Sequence, residues 1–147
     1  MRVQLNIRGR GYRAGMARTR VYRNGVLEAE DFPVERVSDY LEDPSTVVWL
    51  DVCEPDADDI AAIAEELQLH RLAIEDAVAE HQRPKLDRYR THLFVTGYSV
   101  ALDPESGRLA QAEVDAFITR QAVVTVRKSQ SFPIDEVVSR WDASPDL

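Results

Sequence analysis

The sequence contains a single cysteine and no long hydrophobic run. Cys53 is the only cysteine among 147 residues, which excludes an internal disulfide framework and a cysteine-rich zinc site. We expect a buried, inert thiol, because Asp51 and Glu54 would raise its pKa. Apolar runs such as Val47–Leu50 are far shorter than the roughly 18–20 residues that a membrane-spanning helix needs. The first residues also lack the apolar centre of a secretory signal, so we expect a cytoplasmic chain.

Signatures of catalysis are also lacking. The chain has no Gly-x-Ser-x-Gly elbow, no phosphate-cradling glycine loop and no His-Glu-x-x-His pair. The segment "RGRGYRAG" contains glycines but lacks the preceding strand and following helix of a dinucleotide site. Glu75 and Asp76 are adjacent and diverge by about 100° on a helix, so they are poorly placed to grip one substrate atom. We therefore predict that the protein is not an enzyme.

Charge is distributed unevenly along the chain. Residues 1–23 carry seven arginines and no acid, whereas residues 24–147 carry eleven basic and twenty-six acidic side chains. We predict a mobile arginine-rich tail over residues 1–18 and one domain over residues 19–147. The acidic body would repel nucleic acid and attract cations, so no nucleic-acid partner is expected.

The local patterns predict an α/β domain with a mixed parallel and antiparallel sheet covered by helices on both faces, in α/β/α layers. Asn24-Gly25 between β-forming residues predicts a tight hairpin, and the run Val47–Val52 predicts a buried strand. Later strands are predicted on both sides of "DPESG" and in "AVVTVRK". Helices are predicted in "FPVERVSDYLED", in "EPDADDIAAIAEELQL", over residues 70–80 ahead of Pro84, and in "FPIDEVVSRW", where Val137 shares the apolar face.

One stretch, "LQLHRLAIEDAVAEHQRPKLDRY", concentrates the residues that carry chemistry. On a single helix His70 and His81 would lie about 16 Å apart along the axis, whereas a zinc ion needs its ligands within about 2.0–2.3 Å. A cage of both histidines with Glu75 and Asp76 is therefore excluded. His92, at the start of a strand, is interpreted as structural. Glu75 and Asp76 remain as outward carboxylates on a short helix.

The ordered combination of motifs around this stretch resembles the amino-terminal cytoplasmic domain of the CorA family of magnesium and divalent-cation transporters. Residues 48–98 carry a strand ending in Trp-Leu-Asp, an amphipathic helix, Leu-His-x-Leu-x-x-Glu-Asp, Gln-Arg-Pro-Lys and an aromatic strand. The segment "EVDAFITRQAVVTVRK" continues the resemblance, which covers residues 45–147. Arg71 stands where the family usually has proline.

The resemblance implies a metal-sensing domain of a homopentameric transporter at the cytoplasmic face of the membrane. By the family's motif, Asp76 would supply half of a regulatory Mg²⁺ site between identical subunits, with Glu75 as a secondary ligand. Mg²⁺ would bind weakly to the isolated domain, and Co²⁺, Ni²⁺ or Zn²⁺ are also possible ions. The chain lacks the family's stalk, transmembrane helices and Gly-Met-Asn loop, so we expect a fragment that does not conduct ions.

Two other functions remain open from the sequence. A zinc-transporting relative would share the fold, and a free-standing soluble metal-binding or interaction domain would keep it without a pore. The cluster Arg83-Pro84-Lys85 is interpreted as structural, with Pro84 ending the helix and the basic side chains neutralising its carbonyl end.

Overall fold

A computed structural model describes residues 17–144, which form one seven-stranded sheet flanked by helices. Most of the predicted arginine-rich tail lies outside the described residues, but Ala17 and Arg18 belong to the first strand. The elements are β1 (Ala17–Arg23), β2 (Val26–Glu30), a 3-10 helix (Val34–Arg36) that leads into α1 (Val37–Leu41), β3 (Thr46–Cys53), α2 (Ala57–Leu67), α3 (Arg71–Val78), β4 (Lys85–Arg88), β5 (Leu93–Leu102), β6 (Leu109–Ile118), β7 (Ala122–Arg127) and α4 (Ile134–Asp142).

The sheet has the order β2-β1-β3-β7-β6-β5-β4. Strands β3 and β7 run parallel, and the other neighbouring pairs are antiparallel. The predicted hairpin is confirmed, since Asn24 and Gly25 join β1 to β2 with φ angles of 49° and 77°. Positive φ at both turn positions matches the twist of the flanking strands. The mixed sheet predicted from the sequence is therefore confirmed.

Helices cover both faces of the sheet, as predicted. Alternation along β3 sends Val48 and Leu50 into a core shared with α1, α2 and α3, while Trp49 packs on the opposite side with α4. In the larger core, the buried rings of Phe94 and Phe117 lie 5.0 Å apart. These two cores hold the α/β/α layers together.

The fourth helix differs from its prediction in one residue. Ile134, Val138 and Trp141 face the sheet, and the ring of Trp141 lies 5.2 Å from that of Trp49. Val137, predicted on the same face, is 38% exposed. The apolar stripe that faces the sheet is narrow, with residues spaced i, i+4 and i+7, and Val137 lies at its edge.

Strand β4 was not predicted from the sequence. Its four residues, Lys85–Arg88, alternate charged and apolar side chains at the edge of the sheet. Edge strands of natural proteins are often short and charged, which weakens their sequence signal. Among the helices described between residues 17 and 144, none is both long enough and apolar enough to cross a membrane.

Candidate functional site

Helix α3 carries the two acids singled out by sequence. His70 is the N-cap of this helix, and its Nδ1 accepts a hydrogen bond from the backbone N–H of Leu72 at 3.2 Å. This cap satisfies one of the free amide groups of the first turn. Ala73 and Ala77 are buried at 0% and 1% exposure, and these small side chains let the helix lie close to the core. The acids therefore lie on a helix that is anchored along one face.

Glu75 lies on the exposed side of α3. Its carboxylate accepts a hydrogen bond from Arg71 Nε at 3.1 Å, and the two side chains are 57% and 89% exposed. Such i, i+4 pairs in water contribute only about 0.3–0.5 kcal/mol. Glu75 is therefore free to exchange Arg71 for another cation at little cost.

Asp76 is held more firmly than Glu75. Its Oδ2 lies 2.5 Å from Nζ of Lys85 on β4, and the two side chains are 32% and 27% exposed. The same ammonium lies 3.2 Å from Asp87 Oδ2 and 5.5 Å from the ring centre of Phe94. The hydrogen bond to Asp76 raises the pKa of Lys85 despite partial burial. Asp76 therefore already binds a cationic group within its own chain.

A different lysine caps the carbonyl end of α3. The helix ends at Val78, six residues before Pro84, so the sequence-based role of Pro84 as the helix stop is wrong. Lys128 Nζ donates a hydrogen bond to the carbonyl oxygen of Ala77. Lys85 reaches a side chain of the helix instead of its carbonyls. The positive charge that neutralises this helix end therefore comes from beyond β7, a position that local sequence does not reveal.

Lys128 also compensates a carboxylate beneath the helix. Asp115 on β6 is fully buried, and its Oδ2 lies 3.1 Å from Lys128 Nζ. Its other oxygen accepts a hydrogen bond from Thr96 at 2.6 Å. Burial raises the pKa of Asp115, although Thr96 and Lys128 both oppose the shift. The pair joins β6, the end of β7 and α3 at one point.

A second buried acid fastens the loop that follows α3. Glu113, 6% exposed, accepts hydrogen bonds from the backbone N–H of His81 and from the hydroxyl of Tyr98, both at 2.9 Å. Burial and the hydrogen bond to Glu113 raise the pKa of Tyr98 to about 12. His81 itself has a φ of 60°, and its side chain is 92% exposed. The loop between α3 and β4 is thus tied to the sheet.

The remaining histidine and the cysteine have structural surroundings. His92 is 4% exposed and stacks on Tyr89 at 4.9 Å, in agreement with its structural interpretation. Burial, with a smaller effect from His70, lowers its pKa. Cys53 is half-buried, whereas the sequence predicted a buried thiol. Burial raises the pKa of this thiol, and Arg127, a positive neighbour that the sequence did not indicate, opposes the shift. Glu54 and Asp51 raise the pKa, as predicted.

The described part of the chain contains no cluster of metal-ligating side chains. Between residues 17 and 144, no group of three or more His, Cys, Asp or Glu side chains is arranged to hold a metal ion. An open cleft of about 310 Å³ adjoins the end of α3, and its lining residues do not include Asp76 or Glu75. A cation at Asp76 would therefore need waters or ligands from outside residues 17–144.

Sequence reasoning missed three of the charged residues around α3. Glu113 and Asp115 alternate with apolar residues on β6, and this period of two places both on the side of buried Phe117. That alternation was the available signal. Lys128 carried no local signal, because its partners, Ala77 and Asp115, are distant in sequence.

Comparison with protein families gives a match over most of the chain. A family model described as CorA-like Mg²⁺ transporter protein matches residues 44–147, in agreement with the resemblance seen over residues 45–147. YfjQ of Bacillus subtilis (strain 168), by name a candidate metal ion transporter, is 35% identical over 119 residues, or 80% of this chain. The cobalt/magnesium transport protein CorA of Thermotoga maritima is 24% identical over 82% of this chain. The chain spans 35% of the length of each of these relatives.

Solved structures share the fold at low sequence identity. The full-length CmaX protein superposes with a TM-score of 0.69 and 18% identity, covering 93% of this chain and 42% of that one. The soluble domain of CorA from Methanocaldococcus jannaschii gives a TM-score of 0.58 at 8% identity, covering 88% of this chain and 48% of that one. The α/β architecture of the described residues is therefore a known one.

Proposed function

Because the chain belongs to the CorA-like Mg²⁺ transporter protein family, we propose that it is the cytoplasmic regulatory domain of a divalent-cation transporter. In this proposal the complete protein is a homopentamer in the cell membrane, and the domain senses the ion without conducting it. Regulatory Mg²⁺ binds between identical subunits, with Asp76 as a ligand on one side and Glu75 as a secondary ligand. Other divalent ions such as Co²⁺, Ni²⁺ or Zn²⁺ compete for the same oxygens.

The environment of Asp76 carries this proposal. The carboxylate is half-buried on an anchored helix, and its Oδ2 binds the ammonium of Lys85 at 2.5 Å. It therefore already accepts positive charge at a defined position. Mg²⁺ keeps several waters and is held by one or two carboxylates, so a single Asp76 with waters fits half of a shared site.

The relatives support the functional class. YfjQ and the Thermotoga maritima protein are named for metal ion transport, and each is about three times as long as its match to this chain. The acidic composition supports the regulatory role, since a net charge of −8 makes neighbouring subunits repel each other. A divalent cation between them offsets that repulsion, and its loss lets the subunits separate.

The test uses limited proteolysis of the complete transporter over a Mg²⁺ titration. At a Mg²⁺ concentration 100-fold above the dissociation constant, binding stabilises the closed assembly by about 2.7 kcal/mol per site. Asp76→Asn should move protection to much higher Mg²⁺, and Glu75→Gln should have a smaller effect. Glu65→Gln, on the exposed side of α2, is the matched control and should behave as wild type. Unchanged protection in Asp76→Asn would remove the sensing role from this residue.

The 147-residue chain itself supplies the complementary measurement. One carboxylate with waters chelates weakly, so Mg²⁺ should bind the isolated chain only weakly. Asp76→Asn should lower its melting temperature by no more than about 4 °C, because the partly exposed pair with Lys85 contributes no more than about 1 kcal/mol. Unfolding of this variant would instead identify Asp76 as a structural residue.

A further inference from the structure

Lys85 holds a fixed position beside the proposed metal ligand. Its backbone lies on β4, where it pairs with Thr96 of β5. Its ammonium lies between Asp76 and Asp87, at 2.5 and 3.2 Å from their Oδ2 atoms, and above the ring of buried Phe94. Aromatic faces attract cations within about 6 Å, so the two carboxylates and the ring together fix the position of the Lys85 ammonium.

We propose that Lys85 is a built-in counter-ion that competes with the divalent cation for Asp76 and sets the concentration at which the site fills. This inference rests on the proposed function. A divalent ion bound directly to Asp76 lies about 2.0–2.1 Å from its oxygen, which brings it close to an ammonium already held at 2.5 Å. Two positive charges at such a separation repel strongly outside bulk water. Lys85 must therefore withdraw from Asp76 as the ion enters.

Asp87 gives the displaced ammonium a second partner. Its Oδ2 lies 3.2 Å from Nζ, on the same strand as Lys85. Lys85 can thus leave Asp76 and remain paired, so a half-buried charge is not left without a partner. The exchange breaks the ion pair between α3 and edge strand β4 and leaves the packing of both elements in place. At low concentrations of the divalent ion Lys85 would then occupy Asp76, and the ion would bind there only at high concentrations.

The test compares Mg²⁺ titrations of the 147-residue chain, followed by the amide NMR signals of α3 at constant ionic strength. Residues 17–144 contain hydrophobic cores on both faces of the sheet, so the chain has the packing needed to fold alone. Lys85→Met should lower the midpoint about fivefold, which corresponds to about 1 kcal/mol. Arg71→Met removes one neighbouring positive charge that pairs with Glu75, and it should shift the midpoint less than twofold.

Two further arms separate the possible failures. Asp76→Asn should abolish the titration with or without Lys85→Met, and an unchanged titration would overturn the proposed metal site itself. If Lys85→Met and Arg71→Met shift the Mg²⁺ midpoint equally while Asp76→Asn still weakens Mg²⁺ binding, the metal site stands. Only the competition between Lys85 and Mg²⁺ would then be overturned. In the wild-type chain, the NMR signals of the Lys85 side chain should move with the same midpoint as α3. Lys85 signals that stay fixed while the α3 signals titrate would also overturn the competition. This measurement uses the wild-type chain, so it does not depend on a variant folding.

Discussion

Replacement of Lys128 by methionine tests the polar attachment beneath α3. The change removes the ammonium 3.1 Å from the fully buried Asp115 and the hydrogen bond to the carbonyl of Ala77. Lys128 is only 15% exposed, so water cannot readily take its place. Removing one partner of a buried ion pair typically costs about 3–5 kcal/mol. We expect the lower half of this range, because Thr96 still donates a hydrogen bond to Asp115.

The assay is urea unfolding of the chain, compared with the double variant in which Asp115→Leu is added to Lys128→Met. The double variant should recover part of the loss, because an uncompensated buried carboxylate is then absent. If Lys128→Met lowers the free energy of unfolding by less than about 1 kcal/mol, the value of a surface pair, then Lys128 does not compensate a buried charge.

The same variant should show a characteristic pH dependence. Burial already raises the pKa of Asp115 above its ordinary value of 3.8. A raised pKa means that the folded state holds the proton more tightly, so the residue costs stability as pH rises through the unfolded-state value. Loss of Lys128 raises the pKa further. The free-energy difference between Lys128→Met and wild type should therefore be largest near pH 7 and decrease toward pH 4, and a difference that grows toward acid would contradict the assignment.

The remaining predictions concern the local elements that position the site. Asp56→Ala should cost about 1 kcal/mol in thermal or urea unfolding, because it removes the capping box with Asp59 at the start of α2. Asp58→Ala, in the same first turn but outside the box, should cost clearly less, and equal losses would contradict the capping role. Gly25→Ala should cost about 1 kcal/mol, because a side chain is unfavourable at a φ of 77°. Asn24→Gly should be nearly neutral, since glycine readily adopts positive φ.

Much of the fold follows from local sequence. Asn24-Gly25 identifies the hairpin because few other residue pairs accept positive φ at both positions. The β-branched run in β3 and the apolar spacing of α2 predict buried elements because their periods match the geometry of strand and helix. Strand β4 escaped prediction because its four residues derive their conformation from pairing with β5.

The candidate site was only partly accessible from the sequence. The family motif identified Asp76 and Glu75, and their role in metal binding stays a prediction. Their partners depend on tertiary packing. The sequence places Lys85 at a helix end, yet α3 ends at Val78 and the chain turns back, so that Lys85 on β4 contacts Asp76. Such contacts arise from the path of the loop, which the turn residue His81 and buried Glu113 fix together.

A distance measurement between subunits of the complete transporter tests whether Mg²⁺ at Asp76 holds the subunits together. Spin labels at Glu65→Cys, on the exposed side of α2, would report subunit separation by pulsed electron paramagnetic resonance. Cys53→Ser removes the thiol of this domain, and any other cysteine of the complete protein is replaced in the same way. We predict a short, narrow distance distribution with Mg²⁺ and a longer, broader one after its removal. Asp76→Asn should give the broad distribution even with Mg²⁺ present. A narrow distribution that persists in Asp76→Asn with Mg²⁺, or one that does not change when Mg²⁺ is removed from wild type, would mean that Mg²⁺ at Asp76 does not hold the subunits together.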